Sequence, residues 1–99
     1  MTAMEILKEK VPDVLESYFN MIKTLQKRCP LDEKTKELVL LGILTAKQSD
    51  HGIPIHIKRA KEKGATDEEI ITVIVSALPS CGMGAVLKAL EIAKGHLNL

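Results

Sequence analysis

Helix punctuation constrains this chain more than any other signal it carries. Pro12, Pro30, Gly64 and Pro79 separate stretches whose apolar residues recur every three or four positions. Pro12 suits the opening turn of a helix predicted over about 12–28, where a missing N–H costs nothing. Val14, Tyr18, Met21 and Leu25 mark one face of it, with Leu15 and Ile22 alongside, before Pro30 stops it. Asp32 reads as the N-cap of a second helix to about Gln48. The stretch Leu38–Leu44 in it is apolar all round, the pattern of a central, buried helix.

A turn over Ser49–Gly52 leads to a third helix, opening around Gly52–Pro54 and ending near Lys63, with Gly64 as its terminating residue. Thr66-Asp67-Glu68-Glu69 is a capping box, in which hydroxyl and carboxylate satisfy free first-turn amides reciprocally. The β-branched run Ile70–Val75 behind it suits a strand by propensity, but the cap and the lack of a partner strand favour a helix. Pro79 is expected to end that helix and Ser80 to cap a last one, with Met83, Val86, Leu87, Leu90, Ala93 and Leu97 on one face. The chain thus reads as an all-α single domain over 1–99. Helices apolar on more than one face, in so short a chain, predict a homo-oligomer that buries what a monomer leaves exposed.

Charge and composition exclude several functions. Tyr18 and Phe19 are the only aromatic residues and the net charge is +1, so the stacking platform and basic field of a nucleic-acid binder are both missing. The core must be aliphatic. Leu38–Leu44 is far too short to span a membrane, and Met1–Lys10 is amphipathic and mixed in charge, unlike a signal peptide. Cys29 and Cys81, 52 positions apart, form no metal or redox motif and are expected as reduced, partly buried thiols of a cytoplasmic protein.

Chemistry concentrates in Ser49-Asp50-His51-Gly52-Ile53-Pro54-Ile55-His56, with Glu37 upstream. His51 falls just before the third helix and His56 in its first turn, where free amides favour an anion. An imidazole beside an anion site serves as acid or base near neutral pH. Gly52 lets a ligand approach the backbone. Structural readings stand beside these: Asp50 as a helix cap, His51 as a solvated turn residue, His56 as a hydrogen-bonded core histidine, Glu37 as a first-turn acid. His51 and His56 are five apart, which turns them about 140° from each other on a helix, so no metal site is expected. Ser49 with His51 lacks the elbow of a hydrolase nucleophile. Cys81 sits at a predicted helix start, a place that can activate a thiol, but Gly82 and Gly84 beside it favour a thiol packed at a close helix contact. Glu37 lies eleven positions, about 16 Å, from the end of its helix, so reaching His56 requires a steep helix crossing or a neighbouring subunit.

Three segments in order, Leu31–Leu38, Asp50–Ala60 and Gly64–Ile70, resemble the carboxymuconolactone decarboxylase family, whose superfamily includes the AhpD-like alkylhydroperoxidases. The resemblance covers about residues 13–95. It implies an AhpD-like helical domain of five to six helices, assembling as a trimer or hexamer. The peroxidase pattern is Glu, eleven residues, Cys-x-x-Cys, three residues, His. It lays its Glu on Glu37 and its His on His56, but its cysteines on Ser49 and Gly52, neither of which can attack a peroxide.

The decarboxylase branch, with an acid–His pair and no cysteines, is the nearer resemblance, although it carries an acidic residue where this chain has Gly52. It implies cofactor-free decarboxylation of a small anionic lactone. His56 and His51 then share the roles of proton donor and oxyanion stabiliser, Glu37 orients an imidazole, and Gly52 at the helix start or Arg59 holds a substrate carboxylate. The alternatives are a non-catalytic oligomeric binding protein and a thiol antioxidant working through Cys81.

Overall fold

The computed structural model describes residues 1–99 as six α-helices and a closing 3-10 turn, with no strand. They fall into two compact units, Met1–Pro30 and Leu31–Leu99, where the sequence reads as one domain.

The first unit holds α1 (Ala3–Lys10) and α2 (Pro12–Arg28). Apolar spacing does not announce α1, but its start is a complete capping box: Thr2 Oγ1 accepts the Glu5 N–H and Glu5 Oε2 accepts that of Thr2. Val11, at φ −140° and ψ 55°, separates the two helices, and Pro12 opens α2 as expected. Val14, Tyr18, Met21 and Leu25, the face that helical spacing marks as core, are all exposed, and Leu15 is the sole buried residue of α2.

The second unit holds α3 (Glu33–Lys47), α4 (Gly52–Glu62), α5 (Asp67–Val75), α6 (Leu78–Ala93) and the 3-10 turn Lys94–His96. The expected caps hold. Asp32 Oδ1 accepts the Thr35 N–H at 2.8 Å, Thr66 and Glu69 close their box at 3.0 and 2.9 Å, and Gly64 turns at φ +96°. The core is wholly aliphatic, with Leu41, Ile53, Ile57, Ile70, Ile74 and Val86 shut off from solvent and alanines of α4 and α6 between them. Each such Leu, Ile or Val contributes about 1.5–3 kcal/mol by leaving water. Small residues at Ala60, Ala89 and Ala93 let α4 and α6 approach the centre closely.

Three expectations need correction. Leu38–Leu44 is not buried all round: Leu41 is, while Val39, Leu40 and Ile43 face solvent. Pro79 does not end a helix. The chain turns earlier, at Ser76–Ala77, and Pro79 occupies the first turn of α6, where its missing N–H is tolerated. In α6 Val86 and Ala93 are buried as expected, but Met83 and Leu87 are exposed. Gly82, at φ +79° and ψ 176°, kinks this helix, which shifts the register of everything before it. No helix is long and apolar enough to cross a membrane.

Carboxylates tie the elements together. Lys34 of α3 reaches Glu69 of α5 at 3.0 Å. Lys61 of α4 meets Asp67 at 3.2 Å and donates to the His96 carbonyl at 2.7 Å, while the Asn98 N–H donates to Asp67 at 2.9 Å. These bonds hold three carboxyls below their ordinary values: Asp67 through the Asn98 amide and then Lys61, Glu69 through the Thr66 amide and then Lys34, Asp32 through the Thr35 amide. A carboxyl whose folded pKa is depressed contributes stability above its unfolded value and loses it as pH falls through the folded one. Thermal melts followed by circular dichroism should therefore hold steady from pH 7 to about 5 and fall below about pH 4. Asp67→Asn should flatten that fall.

Candidate functional site

The site is built by the turn between α3 and α4. Gln48 ends α3 in the left-handed region, φ 55° and ψ 45°, and the Ser49 N–H returns to the Leu44 carbonyl at 3.1 Å. Ser49 Oγ then accepts the Gly52 N–H at 3.0 Å, capping α4 from three residues before. A Cβ on Gly52 would lie 2.7 Å from Leu44 Cδ2 and 2.8 Å from Ser49 Oγ. The space a side chain needs is thus filled by the protein itself, and glycine is a packing requirement there.

This close approach seats the first residue of α4 beside Leu44, a full turn back from the end of α3. From Leu44 back to Glu37 is about 10 Å of helix, and from Gly52 forward to His56 about 6 Å. Two side chains reach across the difference of about 4 Å. Glu37 Oε2 lies 2.6 Å from His56 Nδ1, with the carboxylate 13% and the imidazole 17% exposed. The pair therefore forms within one chain. Neither a steep crossing nor a neighbouring subunit is required.

An ionised carboxylate has no hydrogen to give, so Nδ1 carries the proton and donates it to Glu37. The bond is charge-assisted on the acceptor side and fixes the ring's orientation. Nε2 is the ring nitrogen that this bond leaves unengaged.

The other sequence candidates lie around this pair unequally. His51 is the N-cap residue of α4, with an exposed ring that caps nothing. Asp50 is no helix cap: it reaches Lys88 of α6 at 3.1 Å, on the surface. Arg59 is exposed on α4, three residues beyond His56, on a neighbouring part of the same helix surface. Cys29 is half-buried and Cys81 is exposed, rather than both being packed. Cys81 precedes the kink at Gly82 and its N–H is already bonded to Ala77, so it is not at a free helix start.

Sequence reasoning did not single out Lys88. Its signal was legible: in α6 it and Glu91 are the only charged residues of an otherwise apolar helix. No group of three or more His, Cys, Asp and Glu side chains converges to hold a metal ion. An open apolar groove runs along α3, where Leu38, Val39, Gly42 and Ile43 meet Val73 and Cys81, and a second lies between α5 and the start of α6. At 100° per residue the first groove occupies the side of α3 opposite Glu37.

Fold and pair together define a small all-α protein with an imidazole–carboxylate dyad set between two adjacent helices. The chain belongs to the carboxymuconolactone decarboxylase family, whose model matches residues 12–95. It is 36% identical over 90 residues to an uncharacterized protein of Methanocaldococcus jannaschii, covering 90% of this chain and 86% of the relative. A second uncharacterized protein of that organism is 32% identical, over 89% of this chain and 82% of its own length. An uncharacterized 15.0 kDa protein from the nqo9–nqo10 intergenic region of Paracoccus denitrificans is 35% identical, over 95% of this chain and 70% of its own.

Gly52→Ala should push Leu44 and Ser49 apart and lower stability by about 1–3 kcal/mol. Differential scanning calorimetry should show a fall in Tm of several degrees with the helical spectrum retained.

Proposed function

We propose that this protein is a cofactor-free enzyme that decarboxylates a small anionic lactone, or runs closely related acid–base chemistry. The observation that carries the reading is the 2.6 Å contact between Glu37 and His56, two largely sheltered side chains from different helices. Family membership supplies the substrate class, and the dyad supplies a group suited to the reaction.

In a lactone of the 4-carboxymuconolactone type, the bond between the ring carbon and its carboxylate breaks and CO₂ leaves. The electron pair moves through the ring double bond to the lactone carbonyl, forming a dienolate, and a proton added at the α-carbon restores the lactone. His56, held through Nδ1 by Glu37, takes a proton from water on Nε2 and delivers it from there to the α-carbon. The exposed His51 at the mouth of α4 stands to stabilise the developing oxyanion. Arg59 of α4 or Lys88, which meets Asp50 of the turn, would neutralise a substrate carboxylate; the Gly52 amide, expected to do so, is already bonded to Ser49.

The peroxidase reading of the superfamily is weaker on chemical grounds. Ser49 spends its hydroxyl on the Gly52 amide, and neither residue forms the disulfide such a cycle requires. A non-catalytic binding protein remains the second reading of the same site. The exposed apolar surface of α3, with Val39, Leu40 and Ile43, supports assembly as a homo-oligomer, a trimer or hexamer by family resemblance.

Turnover of 4-carboxymuconolactone, followed by loss of the substrate's ultraviolet absorbance, tests the assignment. His56→Ala should lower kcat by about 10²–10⁴-fold, the usual share of a general acid. Glu37→Gln should lower kcat by about tenfold or more while leaving KM nearly unchanged, because it acts through the orientation of His56. Hydroperoxide consumption with a dithiol reductant should be absent. Wild-type turnover unaffected by His56→Ala would sink the site, and binding without turnover would favour the non-catalytic reading.

A further inference from the structure

We propose that the Ser49 hydroxyl is a further catalytic donor, placed to hold the oxyanion that forms beside His56. The proposal rests on the decarboxylase reading of the dyad and adds to that site a group on the flank His56 occupies. An ideal Cβ on Gly52 would lie 2.8 Å from Ser49 Oγ, so the hydroxyl sits where a side chain at 52 would point. Residues 52 and 56 are four apart in α4 and share one face of it. A helical side chain leans back over the turn that precedes it, so the His56 ring extends toward Gly52 and the hydroxyl. Glu37 lies about 4 Å farther from the turn than His56 and holds Nδ1 from that side. Nε2, across the ring, is thereby left on the side of Ser49. His51, five positions before His56, is turned about 140° from it around α4.

The hydroxyl is also in the right state to donate. In accepting the Gly52 N–H at 3.0 Å, Ser49 Oγ uses a lone pair and keeps its proton. A hydroxyl that accepts one bond is polarised and gives the next one more strongly. As the carboxylate leaves as CO₂, the electron pair of its bond comes to rest on the lactone carbonyl oxygen. Ser49 donates a hydrogen bond to that oxygen without transferring its proton. His56 then delivers to the α-carbon a proton taken from water, and the pair returns from oxygen to form the new C–H bond. Carbonyl oxygen and α-carbon are two bonds apart, so donor and acid must be neighbours. One helical turn, about 5.4 Å, separates the levels of Gly52 and His56 and makes them so.

Binding of 4-nitrophenolate, a planar oxyanion that undergoes no reaction here, tests the contact apart from turnover. Titrations followed by its visible absorbance should show Ser49→Ala weakening it by about tenfold or more, as loss of a hydrogen bond to a charged group does. 4-Nitroanisole, the same ring without the oxyanion, should bind both proteins alike. Ser49→Thr keeps the hydroxyl and should keep both affinities, with circular dichroism checking helicity in each variant. Should alanine cost the fold, Ser49→Gly takes its place, since glycine is well tolerated at a capping position. On 4-carboxymuconolactone the variant lacking the hydroxyl should lose about 10²–10³-fold in kcat with KM nearly unchanged. An equal loss of phenolate and anisole marks Ser49 as a packing residue and overturns the proposal. So does phenolate affinity that is unaltered without the hydroxyl, or a wild type that binds no phenolate. A phenolate effect without any lactone turnover upholds the hydroxyl as an oxyanion donor and overturns the decarboxylase reading instead.

Discussion

The close seating of α4 on α3 at Gly52 is the constraint on which the site depends. Were a side chain present at 52, α4 would have to start farther from Leu44 and Ser49. The overlap would shorten and Glu37 and His56 would slip out of register. One missing Cβ therefore does two jobs in this fold, bringing two helices together and aligning two side chains nineteen positions apart in sequence. The serine that lines this contact adds a third, because its hydroxyl satisfies an amide that a conventional N-cap would serve.

Burial is distributed unevenly along the chain. The body concentrates its aliphatic residues at one centre, where α3, α4, α5 and α6 all contribute, and closes its periphery with carboxylates bonded to amides and lysines. Such surface ion pairs add little individually. Their value lies in joining distant segments, as Asp67 does by holding both Lys61 and the C-terminal backbone. The N-terminal helices follow the opposite rule. They keep the apolar periodicity of packed helices and present it to solvent.

The chemical logic of the dyad is independent of the substrate's identity. A carboxylate held against Nδ1 fixes the orientation of the ring, and shelter from solvent strengthens the bond between them. Between Glu37 and His56 the chain carries no cysteine. Ser49 and Gly52 instead make the turn a close-packed junction, the hydroxyl accepting the Gly52 amide and the missing Cβ leaving room for Leu44.

Much of the architecture was legible from local signals, because caps and breakers act within a few residues of themselves. Asp32, the Thr66–Glu69 box and Gly64 all behave as their types and spacings require, and Glu37 and His56 stood out by the company they keep. Other features have no local signature. The sequence marks Leu38–Leu44 as apolar but cannot say which of its sides will be covered, since that depends on where α4, α5 and α6 come to lie. The kink at Gly82 and the early end of α5 moved Pro79 from the end of one helix to the start of the next. The sequence by itself determined five of the six helices, with α1 missed, and marked Glu37 and His56 as candidates, since both follow from side-chain type and short spacing. Only the tertiary structure decided that Glu37 meets His56 within one chain, because that contact is set by the packing distance between two helices.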